Sequence, residues 1–319
     1  MKYRKIGKYG IKVSEISLGA WLTYGNSVDA KLASEIVHAA IEAGVNFIDI
    51  ADIYSKGEAE RLVGQAIEGY TRSDLVISSK LYWPMSENVN DQGLSRKHIM
   101  ESVEKSLKRI GIDYLDFYFC HRFDRETQAE ETVRAMSDLV TQGKILYWGT
   151  SVWEAHQIER VVGEARVCGG YLPAIEQPRY NMLDRHIEDL IMPACARHGL
   201  GIVVWSPLAQ GILTGKYNES APPGSRGAET RWLAGHLNES NLSKTRQLTR
   251  LAKEGWMTLS HLALAWILRR PEISSAIVGA TSVAQLKENV MASDVTLSDD
   301  LLTEIGDILG EPPSSRFKF

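Results

Sequence analysis

Cysteine is scarce in this chain: Cys120, Cys168 and Cys195 are the only three among 319 residues, and no two form a CxxC pair. An odd, unpaired set excludes a disulfide-stapled scaffold and a cysteine-built metal centre, and reads as free thiols in a reducing compartment. Long apolar runs are missing too. No stretch approaches the ~20 residues of a membrane span. The N-terminal MKYRKIGKYGIKVSEI holds no apolar run of the kind a signal peptide requires. Nor is there an excess of positive charge, since 36 Lys plus Arg stand against 40 Asp plus Glu, a net charge of −4. Nucleic acid and anionic membrane surfaces therefore have no electrostatic claim as the main partner. The expectation is a cytoplasmic protein without membrane insertion, in which the NxS sequons at Asn218, Asn238 and Asn241 carry no weight.

What is present is core-forming material, 44% apolar residues with 24% charged, near the globular average. It is laid out in a repeating rhythm. After a hairpin begun by Met1–Lys5, the apolar runs 11–19, 46–51, 75–80, 114–121, 144–151, 173–177, 201–206 and 274–279 read as eight strands. Between and after them, helical periodicity covers 29–43, 58–69, 96–110, 126–142, 155–165, 187–198, 243–254, 258–269, 283–292 and 299–309. Strands alternating with helices make βαβ units and a parallel sheet. Eight units closing on themselves give a single (β/α)8 TIM barrel of the α/β class, whereas doubly wound sheets usually have five or six strands. No linker or shift in composition divides the chain, so residues 1–319 read as one domain.

One segment breaks the rhythm. From Pro207 to about Asn241 the chain is rich in Gly, Pro, Ser and Asn. A loop that long in a compact domain has a job or is a tolerated insertion. Because it follows the seventh barrel strand, it emerges on the C-terminal face, where barrel active sites lie.

Several chemistries fail on inspection. No GxGxxG follows a strand, no GxSxG elbow occurs, GILTGKY has the wrong spacing for a phosphate loop, and the eight histidines form no metal-ligand pattern. What remains is a set of polar residues where apolar strands end. Asp49 lies in the C-terminal half of NFIDIA, Tyr54 just beyond it, Lys80 closes LVISSK and His121 closes YLDFYFCH. On a barrel the ends of the second, third and fourth strands are neighbours, so the four side chains can converge. Singly, each has a plainer reading: a turn cap, a surface ring, a satisfied half-buried imidazole. Lys80 resists it, because an unpaired ammonium after five buried residues is costly.

Together the four suit reversible carbonyl reduction. A carbonyl accepting hydride develops negative charge on oxygen and needs a proton. A phenol with an ordinary pKa of about 10 is a poorly matched acid at neutral pH, and a nearby ammonium is expected to lower it. Asp49 would hold Lys80 charged, and His121 would donate a hydrogen bond to the substrate oxygen. None of these groups supplies hydride, so an organic cofactor must.

The motifs GVNFIDIADIYSKGEAERLVGQAI, ISSKLYW, SLKRIGIDYLDFYFCHR, QGKILYWGTS, EQPRYNML, SPLAQGILTGKY, PPGSR and VGATSVAQLKENV occur in order from LGAW at 18–21 to QLKENV at 285–290. On these residues the chain resembles an aldo-keto reductase, and within that superfamily the branch holding the β-subunits of voltage-gated potassium channels and their bacterial relatives. The resemblance implies an NADPH-dependent reductase with the tetrad Asp49, Tyr54, Lys80 and His121. It implies cofactor contacts from Gly19, Ala20, Trp21 and Asp49, carboxamide contacts from Ser151 and Gln177, and stacking on Trp205. Ser206, Pro207, Leu208, Ala209, Gln210 and Gly211 would follow the pyrophosphate. Lys216, Ser225 and Arg226 would fold over the cofactor, and Gly279, Thr281, Gln285, Glu288 and Asn289 would surround its adenosine end.

Thr281 and Ser282 open a helix, where free N–H groups favour phosphate. Lys216 and Arg226 offer cations to phosphate groups, the 2′-phosphate of NADPH included. Two departures stand out. The mammalian channel subunits carry Asn at the position of His121, and Val152 stands where they show a basic residue and many reductases an Asn. Trp21, Tyr24, Tyr82, Trp83 and Trp153 lie beyond strand ends and would line an aromatic substrate pocket. The expected function is NADPH-dependent reduction of aldehydes or reactive ketones. The alternative is a nucleotide-binding channel β-subunit with slow turnover, and the resemblance to channel subunits implies a homotetramer.

Overall fold

The computed structural model describes residues 1–21, 29–222, 225, 233 and 236–312. A short antiparallel hairpin, β1 (Tyr3–Lys5) and β2 (Lys12–Ser14), precedes eight parallel strands. These are β3 (Ile16–Gly19), β4 (Phe47–Asp49), β5 (Val76–Leu81), β6 (Leu115–Cys120), β7 (Ile145–Ser151), β8 (Ile175–Gln177), β9 (Gly201–Val204) and β10 (Ile273–Val278). They pair in chain order, and β10 closes on β3 to complete the barrel. Around it run α1 (Ala30–Glu42), α2 (Glu58–Ile67), α3 (Arg96–Ile110), α4 (Ala129–Thr141), α5 (Ala155–Val167), α6 (Ile191–His198), α7 (Glu239–Glu254), α8 (Leu259–Leu268), α9 (Val283–Met291) and α10 (Asp299–Leu309). Side-chain caps from Asp29, Ser95, Asn238, Thr258, Ser282 and Ser298 accept from N–H groups of the first turns of α1, α3, α7, α8, α9 and α10. The (β/α)8 TIM barrel and its N-terminal hairpin are those expected from the strand rhythm.

The two-residue period of each strand divides the molecule. Ile48, Ile77, Tyr118, Trp148, Ile202 and Ala276 pack outward into the layer beneath the helices. Phe47, Val76, Phe117, Phe119, Ile175, Val203 and Ile277 form a separate cluster, which Ile6 and Val13 of the hairpin join. The hairpin thus stoppers the N-terminal end of the barrel; a Cβ on Gly201, the first residue of β9, would sit 2.6 Å from Ile6. Space in this layer is tight, and at Gly149 a Cβ would lie 2.4 Å from Ile175 and 2.9 Å from Phe119. Two residues further along the same strands the inward positions turn polar: Asp49, Ser78, His121, Ser151 and Gln177, with Lys80 a pleat beyond Ser78. Apolar packing fills the bottom, so polar groups have somewhere to converge only at the C-terminal end.

Three elements differ from the sequence reading. The run 11–19 is two strands, since β2 pairs with β1 and β3 enters the barrel. Between them Glu15 turns its carboxylate to Arg4 and Ser293. The helix read from Ile187 begins at Ile191, after a short turn at 186–188. Starting there puts Pro193 in the first turn, where its missing N–H breaks no helical bond. The segment after the seventh barrel strand is not all loop, because 209–214 forms a tight helical turn and α7 starts at Glu239. No helix among the described residues is long and apolar enough to cross a membrane.

Candidate active site

Asp49 ends β4, Lys80 stands one residue from the end of β5 and His121 directly follows β6, so adjacent strand ends bring them together. Lys80 is wholly buried, and its Nζ donates to Asp49 Oδ2 at 2.6 Å and to the Ile50 carbonyl at 2.8 Å. The other carboxylate oxygen, Oδ1, accepts from Ser78 Oγ at 2.7 Å and Gln177 Nε2 at 2.9 Å. Tyr54 heads a turn over 54–57 that needs left-handed backbone at Ser55 and Lys56 (φ 48° and 52°) and Gly57 (φ 88°). The turn swings the phenol back over the strand ends. The Tyr54 ring centroid lies 4.9 Å from Lys80 Nζ and 5.9 Å from the His121 ring, edge to face.

Burial and the Asp49 charge push the Tyr54 phenol well above its ordinary pKa, while Arg122 opposes them. The expected lowering by Lys80 is thus corrected in direction. The ammonium gives its hydrogen bonds to Asp49 and Ile50, and the compensated pair leaves burial in control. His121 is held well below its usual range by burial and by the Lys80 and Arg122 charges, so its imidazole is neutral at physiological pH. Its Nδ1 is buried without a hydrogen-bond partner. The site therefore offers a protonated phenol, a neutral imidazole and one buried ion pair.

Sequence reasoning missed what stands behind these groups. Asp52 is buried, takes a hydrogen bond from the Ile53 N–H at 2.6 Å and leaves Oδ2 without a partner. Burial and neighbouring Glu60 push its pKa well up. Glu60, wholly buried, is held by Ser79 Oγ at 2.6 Å and by Arg109. Glu176 on β8 points away from the barrel interior, accepting from Thr150 Oγ1 and from the Trp153 N–H at 3.2 Å. Those bonds support a loop in which Val152 takes a left-handed φ of 58°. Burial raises the Glu176 pKa to about 7. A charged residue inside the apolar run PAIEQ was the available signal.

The expected cofactor contacts spread along neighbouring strand ends. Gly19, Ala20 and Trp21 end or follow β3, Ser151 ends β7, Gln177 ends β8, and Trp205 follows β9. Ser151 Oγ donates to the Gln177 carbonyl at 2.9 Å, leaving lone pairs to face a ligand. Trp205 is partly exposed and meets Trp21 edge-on at 5.7 Å. Beyond it Ser206, Ala209, Gln210 and Gly211 all take positive φ (52°, 47°, 56° and 99°), while Pro207 is buried and Leu208 half-buried. The Ala209 and Gly211 N–H groups donate to the Ser206 and Leu208 carbonyls at 2.9 Å each, so this left-handed run is a tight turn.

Lys216 lies against this turn, since a Cβ on Gly211 would meet its Cε at 2.9 Å. Gln210 Oε1 and Ser225 Oγ are buried without partners. Gly279, Thr281, Gln285 and Glu288 follow β10 on the surface or half-buried, and Asn289 is buried. The start of α9 is partly satisfied already: Ser282 accepts from Gln285 N–H at 3.2 Å, and the Gln285 side chain accepts from Thr281 N–H at 3.0 Å. Arg226 and Tyr24 lie outside the described residues.

Of the expected pocket residues, Tyr82 and Trp83 meet edge-on at 5.2 Å, and the Trp83 ring stands 6.3 Å from His121. Trp153 is only 2% exposed and packs on Phe123 at 4.9 Å, so it backs the pocket from the core and presents no open face.

An aldo/keto reductase family model matches residues 15–309. A protein of Arabidopsis thaliana named "Probable voltage-gated potassium channel subunit beta" is 45% identical, the match covering 98% of each chain. A protein of Oryza sativa subsp. japonica bearing the same name is 42% identical, again over 98% of each.

Two outcomes follow from the electrostatics. Lys80→Met leaves the Asp49 carboxylate buried without its cation, and urea unfolding should show a loss of roughly 3–5 kcal/mol. For Glu176, the folded chain holds a proton up to about pH 7 that the unfolded chain releases near 4.5. Unfolding in that window sheds a proton, so this group's stabilisation is full below the window and declines as pH rises through it. Glu176→Gln removes the effect. Wild-type stability minus variant stability should fall between pH 5 and 8 by up to about 1.4 kcal/mol per pH unit, measured by urea titrations at each pH.

Proposed function

The chain belongs to the aldo/keto reductase family, and on that premise we propose that it is a cytoplasmic, NADPH-dependent reductase of aldehydes or reactive ketones, with residues 1–319 as one catalytic domain. The observation that carries this reading is the convergence of Tyr54, His121 and the Asp49–Lys80 pair at adjoining strand ends, beside the partly exposed Trp205. Trp205 would take the flat nicotinamide, Ser151 and Gln177 its carboxamide, and residues 206–211 with Lys216 the pyrophosphate. Ser225 and Arg226 would cover it, and 279–289 would hold the adenosine end. Gln210 Oε1, in the turn after β9 and without a hydrogen-bond partner among the described residues, supports this fit. When bound, the cofactor supplies the hydride.

The chain's own groups supply the rest. Burial keeps the Tyr54 hydroxyl protonated across neutral pH, so the acid is loaded before substrate arrives. As negative charge develops on the carbonyl oxygen, Tyr54 gives up its proton. The Lys80 ammonium over its ring stabilises the phenolate then formed, a charge absent from the ground state. His121, neutral, donates a hydrogen bond to the same oxygen without competing as an acid. Asp49, held by three donors, keeps Lys80 in place.

A second reading, favoured by the names of the relatives, is a nucleotide-binding channel β-subunit with slow turnover, assembled as a homotetramer. A neighbouring channel gene would support it; fast NADPH oxidation across an aldehyde panel would support the first.

Tyr54→Phe keeps the ring and removes only the acid. Turnover should fall by at least ~10²–10⁴-fold with fold and cofactor binding intact, and a variant retaining a tenth of wild-type kcat would remove Tyr54 from the role. Two cation–phosphate contacts, from Lys216 and Arg226, should each contribute ~1.5–3 kcal/mol. NADPH should therefore bind more than tenfold tighter than NADH by fluorescence titration, and Arg226→Ala should weaken NADPH more than NADH. Equal dissociation constants would refute the preference.

A further inference from the structure

A second cation stands at the rim of the site, beyond the reacting groups. Arg122 follows His121 directly and is half-buried. Its guanidinium carbon lies 5.5 Å from the Trp83 ring centroid, and that ring in turn faces His121. Tyr54, His121, Trp83 and Arg122 therefore make one continuous wall, with the reacting groups at one end and a guanidinium at the other. Arg122 Nη1 donates to the His121 carbonyl at 2.5 Å. No carboxylate oxygen among the described residues comes within 4.0 Å of Arg122.

Most other sheltered arginines have a carboxylate partner, although Arg269, over the Trp266 ring, has none within 4.0 Å among the described residues. Arg72 pairs with Asp116, Arg109 with Glu60, Arg179 with Asp184 and Arg185 with Glu188. Glu176 supports the Arg122 charge at longer range but is hydrogen-bonded by Thr150 and the Trp153 N–H, and Asp124 by the N–H groups of Leu94 and Glu126 and by Thr127 Oγ1. Burial works against the guanidinium's charge. A partly desolvated arginine with most of its five donors uncommitted is costly to keep unless a ligand supplies the counter-charge. The planar fork suits a carboxylate in two-point contact, and the aromatic wall suits a flat body between carboxylate and carbonyl.

We propose that Arg122 is a specificity-determining residue that binds a carboxylate on the substrate, so that the preferred substrates are aldehydes or ketones carrying a carboxylate across an apolar, flat spacer. This rests on the carbonyl-reductase reading and names its substrate class. The test compares 4-carboxybenzaldehyde with its methyl ester, which keeps size and carbonyl reactivity and removes the charge. Wild type should favour the acid by about tenfold or more in kcat/KM, chiefly through KM. Arg122→Met should abolish that ratio and Arg122→Lys should restore part of it. The ratio, not either rate, is the readout, because Arg122 also acts on Tyr54 and its loss changes both rates together.

Benzoate titrated by calorimetry, with NADP present, gives a second readout independent of turnover, and should bind wild type and not Arg122→Met, whose fold is checked by circular dichroism. An acid/ester ratio near one in wild type, a ratio unchanged in Arg122→Met, or equal benzoate affinity in both proteins would overturn the proposal. If neither aldehyde is reduced yet benzoate binds only when Arg122 is present, the anion site stands and the reductase reading falls.

Discussion

Burying an ammonium inside a barrel is expensive, and the arrangement of this site follows from how that cost is met. Lys80 is fully out of water, so its charge survives only because Asp49 stands 2.6 Å away and the Ile50 carbonyl takes a second proton of the ammonium. Asp49 in turn needs its other oxygen satisfied, and Ser78 and Gln177 do that from β5 and β8. One ion pair thus ties together inward positions on three strands. Tyr54 and His121 are placed relative to that fixed point.

The barrel permits this because its interior is divided along the axis. The hairpin and a layer of Phe, Val and Ile close the N-terminal end, with no room for even a methyl group at Gly149. Apart from Ser17 and Ser275, bonded to each other at 2.9 Å, the inward polar side chains of these strands lie at the C-terminal end, where loops supply both partners and access. The buried acids Glu60 and Glu176 belong to a second tier, Glu60 tying α2 to β5 and α3, and Glu176 bracing the loop that carries Trp153. Strain in that loop, at Val152, is held by the Glu176 bonds.

Charge at the mouth is kept positive and the titrating groups neutral. Burial leaves Tyr54 protonated and His121 uncharged, while Arg122 acts on both of them and Lys80 on His121. An oxyanion forming between phenol and imidazole would find its counter-charges already in position, the condition under which electrostatic stabilisation costs least reorganisation.

The strand rhythm by itself determined the (β/α)8 barrel, because a period of two broken by helical stretches admits few closures once eight units are counted. It also determined which strand ends carry Asp49, Lys80 and His121, since polar residues closing apolar runs are visible in one dimension. Local chemistry misled only where short range and long range conflict: Pro193 shifted a helix start, and Glu15 split a strand in two. Tertiary structure alone decided the direction of the Tyr54 pKa, which depends on how completely Lys80 is neutralised by Asp49. It alone decided that Trp153 belongs to the core, that Glu176 and Asp52 are buried acids, and that Arg122 has no carboxylate within 4.0 Å among the described residues. Desolvation and pairing are sums over neighbours brought from distant parts of the chain, and no spacing along the sequence encodes them.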